Sequence, residues 1–168
     1  STNAQQFEGG HGQGGKGVSI ADVRVIPGAD KESNFNEFKI ASDHYHHMKE
    51  DIKLYAEMGF EIYRFTIAWT RIFPNGDEIE ANPEGIAFYS AMLDELDKYN
   101  IEPVATLYAY DLPLNLLEKY RGFMSREIIK DFTHYAETVI KAFKGRIKYW
   151  IPFNEQNFID LDSEYMTG

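Results

Sequence analysis

Three times along the chain, a stretch with apolar residues at helical spacing gives way to a short run of strand character. Over residues 42–58, Tyr45, Met48, Ile52 and Tyr55 recur three or four positions apart, which puts them on one helical face, and Gly59 is a suitable stop. In residues 60–67, Tyr63, Phe65 and Ile67 alternate with other residues, the period of a strand. A second helix is predicted from Asn82-Pro83, an N-cap followed by proline at the first helical position. Its apolar face is Ile86, Tyr89, Met92, Leu93 and Leu96, and Asn100 can adopt the left-handed conformation that ends it. The apolar strand 102–108 follows. A third helix starting near Ser125 presents Ile128, Phe132, Tyr135, Val139 and Phe143, stops before Gly145, and leads into a strand at 147–153. Helices alternating with short apolar strands imply parallel strands with crossover helices. Both a doubly wound sheet and a (β/α)8 barrel satisfy that alternation, and periodicity does not separate them.

Composition narrows the function. The chain has 168 residues, 43% hydrophobic and 15% aromatic, a globular balance. Its 17 basic and 27 acidic residues give a net charge of -10, which repels phosphate backbones, so nucleic acid is not an expected partner. There is no cysteine, hence no disulfide or thiolate chemistry. No apolar run approaches the ~20 residues that span a bilayer. The opening residues 1–17 are polar and glycine-rich without a signal-peptide core, and no membrane partner is expected. A cytoplasmic location is the expectation. The glycine-rich stretch 9–17 has no strand before it, so it reads as a loop rather than a phosphate cradle.

Candidate chemistry lies at the carboxyl ends of the strands, where either α/β architecture places its sites: Thr66, residues 108–111, and Asn154-Glu155. His44 and His47 have the helical spacing of a metal pair, but their helix belongs to an outer layer, and no metal or other cofactor is expected. Trp69, Tyr89, Phe132 and Trp150 are read as core, and Asp77, Glu78 and Glu80 as a solvated loop.

The segment Lys148-Tyr149-Trp150-Ile151-Pro152-Phe153-Asn154-Glu155-Gln156-Asn157 resembles the acid/base segment of glycoside hydrolase family 1, which includes β-glucosidases and 6-phospho-β-glucosidases. Further blocks extend the resemblance over nearly the whole chain. They are Gln6-Phe7-Glu8-Gly9, Gly15-Lys16-Gly17-Val18-Ser19-Ile20-Ala21-Asp22, Asp43-His44-Tyr45-His46 with Lys49-Glu50-Asp51, the run from Tyr63 to Pro74 with Arg64 near its start, Gly85-Ile86-Ala87-Phe88-Tyr89 and Ile101-Glu102-Pro103-Val104. The resemblance implies an α/β fold, a partial (β/α)8 TIM barrel holding roughly strands two to four with their helices. Residues 1–168 are then the N-terminal part of a single catalytic domain, with the first strand preceding Ser1. It implies a retaining β-glycosidase acting on β-glucosides or 6-phospho-β-glucosides. Glu155 would be proton donor and then base, Asn154 would bind the sugar 2-hydroxyl, Gln6 would bind other sugar hydroxyls, and Arg64 would support the nucleophile. That nucleophile belongs near the seventh strand, so the 168-residue chain is expected to lack it and to be inactive alone.

Departures from the family pattern bear on substrate. Ala109 stands where the family usually has a sugar-binding histidine, and Tyr110 where an aromatic is common. Pro152 replaces a usual threonine, and Gln156 a common proline, the latter as in some 6-phospho-β-glucosidase-like branches. A non-catalytic carbohydrate-binding or degenerate protein is the alternative reading. Open strand edges on both sides also point to self-association as a partnership.

Overall fold

The structure is a computed structural model that describes residues 1–23 and 36–158. Three parallel strands form its centre in the order β1-β2-β3: Ile62–Thr66, Glu102–Tyr108 and Tyr149–Phe153. The register pairs Arg64 with Val104, Thr66 with Thr106, and Tyr108 with Phe153. Helices precede and connect the strands. In chain order these are α1 (Ala4–Phe7), α2 (Ile20–Val23), α3 (Asn36–Ile40), α4 (His44–Glu57), α5 (Trp69–Ile72), α6 (Pro83–Lys98), α7 (Leu114–Tyr120) and α8 (Ile128–Ala142). The three long helices and three strands are those the apolar periodicity predicts, most of them trimmed at their ends while the strand at 102–108 keeps its full extent. The glycine-rich stretch contains a short 3-10 turn, Gln13–Gly15.

Local chemistry explains the boundaries. Gly59 takes φ 80 just past α4, a conformation that suits glycine. The Asn82 side chain accepts from Glu84 N–H at 3.3 Å, and its Nδ2 donates to the carbonyls of Gly14 and Arg71, so one N-cap also ties down two loops. Asn100 closes the α6–β2 turn with φ 54.

The core lies between the sheet and its helices. Tyr63 and Phe65 face the helical layer, with Tyr63 against Tyr55 of α4 and Phe65 stacked on Tyr89 of α6. Trp69 is fully buried and stacks on Tyr135 of α8 at 5.0 Å. The Tyr135 hydroxyl donates to the carbonyls of Ile67 and Leu107, which pins α8 to the ends of β1 and β2. Tyr89 is likewise core, and Phe132 and Trp150 pack against it from partly buried positions.

Arg64 alternates with Tyr63 and Phe65, so it points to the opposite face of the sheet. Among the described residues, the outer edge of β1 meets Thr2, through a bridge to Phe65 and a 3.0 Å bond from Thr2 N–H to the Arg64 carbonyl. Ile62 and Phe60 near that edge and Tyr149 of β3 are exposed.

Two charged groups differ from the sequence reading. Asp77 and Glu78 are half-buried rather than simply solvated: Lys119 of α7 pairs with Asp77 at 2.8 Å, and Asn75 caps onto Glu78. Glu8 and Arg71 form a buried ion pair at 3.0 Å. Glu8 also accepts from the Tyr89 hydroxyl, and Arg71 donates to the Gly9 and Gln13 carbonyls. Burial, the largest single influence, would lower the Arg71 pKa, but the charge and hydrogen bond of Glu8 together with Tyr89 and Tyr45 outweigh it and the net direction is upward.

Candidate active site at the strand ends

Beyond β3, Asn154 N–H donates to the Tyr108 carbonyl at 2.9 Å, continuing the parallel ladder for one residue. The backbone then turns sharply. Glu155 adopts φ 51, and Tyr110, in the turn just after β2, adopts φ 65. Left-handed backbone disfavours non-glycine residues by about 1–2 kcal/mol each, so surrounding contacts must hold both turns.

Those contacts form one chain of hydrogen bonds across the three strand ends. The Tyr110 hydroxyl donates to Glu155 Oε2. Asn154 Nδ2 donates to the same phenol oxygen at 3.3 Å. Asn154 Oδ1 accepts from Arg64 Nη2 at 2.6 Å, and Arg64 Nε donates to Thr106 Oγ1 at 3.0 Å. Three expected site residues, Arg64, Asn154 and Glu155, therefore converge. Asn154 is buried, Arg64 half-buried and Glu155 exposed. A carboxyl with one oxygen held, an amide beside it and a guanidinium behind it can present a proton donor and a hydroxyl-binding group to a polar ligand. Gln6 does not join them: it is exposed on α1, and among the described residues no hydrogen bond connects it to this chain.

Behind the Tyr110 turn the chain is buried. Ala109 is fully buried, and its N–H donates to Asp111 Oδ1 at 3.3 Å. Burial pushes the Asp111 carboxyl up to about 7, against the pull of the Ala109 N–H and of Lys16. Asp111 borders a cavity of about 10 Å³ together with Gln5, His11, Lys16, Asp22 and Thr70. That is room for about one water. Lys16 bonds Asp22 at 3.2 Å. Burial pushes the Asp22 carboxyl up, but Lys16 and the Ser19 N–H and hydroxyl bring it down overall.

The three histidines of α4 pair with nearby polar side chains. His44 is buried against Asp51 at 2.6 Å, His46 bonds Asp43 and Gln13, and His47 lies near Glu50. No group of three or more His, Cys, Asp or Glu suited to a metal occurs among the described residues.

Comparison with known proteins decides between the two α/β architectures. Residues 1–168 match the family described as Glycosyl hydrolase family 1 along their whole length. The chain belongs to glycosyl hydrolase family 1. It is 47% identical over 160 residues to the aryl-phospho-β-D-glucosidase BglH of Bacillus subtilis, covering 93% of this chain and 34% of that protein. It is 46% identical over 172 residues to a 6-phospho-β-glucosidase of Clostridium longisporum, covering 100% of this chain and 36% of the relative. The crystal structure of a rice β-glucosidase superposes with a TM-score of 0.88 at 40% identity, over 96% of this chain and 33% of the rice chain. This glycosyl hydrolase family 1 chain thus spans about a third of the length of the relatives it matches. Its three strands are a segment of a TIM barrel, not part of a doubly wound sheet.

Sequence reasoning missed Tyr110 as a contact of Glu155, because the two are 45 positions apart. It also missed the Glu8–Arg71–Tyr89 cluster. The signal available was that all of them fall within, or next to, the blocks that carry the family resemblance.

Proposed function

We propose that this chain carries the acid/base side of a retaining β-glycosidase site that cleaves β-glucosides or 6-phospho-β-glucosides. One observation supports this above the others. In a family 1 chain, Glu155 stands at a strand mouth, bonded through Tyr110 and Asn154 to Arg64.

Glycoside cleavage passes through an oxocarbenium-like transition state and needs a proton on the departing oxygen. Glu155 donates that proton, then takes one back from the water that completes turnover. The Asn154 amide meets the sugar 2-hydroxyl, a contact that strengthens as positive charge develops on the ring. Arg64 holds Asn154 and supports a second carboxylate about 5–5.5 Å from Glu155, the separation of a retaining pair. That nucleophile belongs to the length of the relatives that this chain does not span. A variant of the rice relative solved in a covalent complex with Glc is consistent with a covalent route in the family. Gln6, exposed on α1, is proposed to bind other hydroxyls of the same sugar.

The relatives named for phosphorylated aryl glucosides favour that substrate class here. Alone, the 168-residue chain turns over no glycoside. Joined to the uncovered part of BglH, it should hydrolyse aryl 6-phospho-β-glucosides, and Glu155→Gln should abolish turnover of substrates with poor leaving groups. Hydrolysis by the chain alone, or an active hybrid indifferent to Glu155→Gln, overturns the proposal. Ala109 favours a second reading, a carbohydrate binder without hydrolysis. Calorimetric binding of a 6-phosphoglucoside by a hybrid that turns nothing over would select it.

A further inference from the structure

We infer that Tyr110 is a positioning residue for Glu155: its hydroxyl fixes the carboxyl so that Oε1, not Oε2, exchanges the proton with the glycosidic oxygen. The inference rests on the reading of Glu155 as acid/base and adds which oxygen acts and what aims it.

Three observations carry it. First, the phenol is used twice. It donates to Glu155 Oε2 and accepts from Asn154 Nδ2 at 3.3 Å, so both of its directions are committed to the two residues that would face the sugar. Second, both ends of this contact sit in left-handed backbone, Tyr110 at φ 65 and Glu155 at φ 51. Two neighbouring turns held against their local preference, and bonded to each other, are a pair whose geometry is set by the contact and not by propensity. Third, the far end of the chain is anchored in the sheet. Asn154 is buried and bonded to Arg64, which is bonded to Thr106 on the adjacent strand. Glu155 itself is exposed and would otherwise sample several rotamers.

An exposed carboxyl that must meet one lone pair of one oxygen benefits from being held in advance. With Oε2 occupied by the phenol, Oε1 carries the proton outward. The proton leaves Oε1 for the departing oxygen as the glycosidic C–O bond breaks, and a proton from water returns to Oε1 as the glycosyl group is released. Tyr110 keeps its own proton throughout.

Leaving-group dependence separates positioning from a general structural role. Tyr110→Phe retains the ring and removes only the hydroxyl. In the hybrid with BglH, it should lower kcat by roughly 10- to 100-fold for glycosides with poor, alkoxide-like leaving groups, which need protonation, with KM little changed. For a dinitrophenyl glycoside, which departs without a proton, the glycosylation step should be nearly unaffected. An equal loss on both substrates, or none on either, overturns the inference. An inactive hybrid would count against the function reading, and the chain alone then still decides the geometry. There, Tyr110→Phe should shift both the Glu155 carboxylate carbon and the Asn154 side-chain amide resonances, leaving those of the Tyr135 region unmoved. Unshifted signals at Glu155 overturn the inference.

Discussion

Replacing Asp111 by Asn should change how stability depends on pH, and the size follows from burial. The Asp111 carboxyl is 2% exposed, and its Oδ2 has no hydrogen-bond partner among the described residues. Its pKa rises from 3.8 to about 7, with burial the largest cause. Because the folded value is raised, the native state holds a proton that the unfolded chain has lost. Stability from this group is therefore complete below about pH 4, falls as pH rises, and is fully lost above about pH 7. At about 1.4 kcal/mol per unit, the whole span amounts to about 4 kcal/mol. The isoelectric point is near 4.9, so a practical window is pH 5.5 to 8. Within it, about 1.5 units of the shift are traversed, worth about 2 kcal/mol. Urea titrations of the chain and of Asp111→Asn, followed by Trp69 and Trp150 fluorescence, should show the variant gaining about 2 kcal/mol relative to the parent between those two pH values, close to 1 M in midpoint. Other titrating groups cancel in the difference. A difference that stays constant with pH would refute an uncompensated buried carboxyl at this turn.

Other substitutions probe the packing that holds the site. Glu8→Gln should lower unfolding free energy by about 3–5 kcal/mol in the same titration, because it strands the buried Arg71 charge. Gly85→Ala should destabilise by about 1–3 kcal/mol despite lying in α6, where alanine is ordinarily the better residue. A Cβ there would meet the Arg71 carbonyl oxygen at 2.1 Å, within the backbone, so thermal unfolding should move down and not up. Asn82→Ala should cost about 2 kcal/mol by chemical denaturation, combining a lost N-cap with two lost bonds to the carbonyls of Gly14 and Arg71.

The long elements were legible because each buries one continuous face. Ile128, Tyr135 and Val139 of α8 are buried as their spacing implies, and the strand at 102–108 has the extent its apolar run suggests. The short helices were not. Trp69–Ile72 is too brief to show a period, and α7 is entered from Leu112-Pro113, a sequence that reads as a loop. Strand ends shortened where a run leaves the sheet, as at Phe60, whose N–H turns back to the Tyr55 carbonyl. Parallel strands were readable, but the choice of barrel came from recognised blocks and then from superposition on the rice enzyme, since sheet closure depends on strands outside these three. In the site, Asn154 and Glu155 were visible as adjacent polar residues after an apolar strand. Their joining to Arg64 and Tyr110 was not, because it spans 90 and 45 positions and depends on register. Asp111 gave no local sign of its burial, because residues that border the small cavity with it, such as Lys16 and Asp22, lie about 90 positions earlier in the chain.

Glu155 as the proton donor is tested most directly by external-nucleophile rescue in the hybrid of this chain with the uncovered part of BglH. Glu155→Ala should lose turnover of ordinary aryl 6-phospho-β-glucosides by roughly 100-fold or more. Azide, which needs no general base, should restore turnover of a dinitrophenyl substrate and yield the β-configured glycosyl azide. An α-configured azide, or a hybrid whose rate is unchanged by Glu155→Ala, would contradict the assignment.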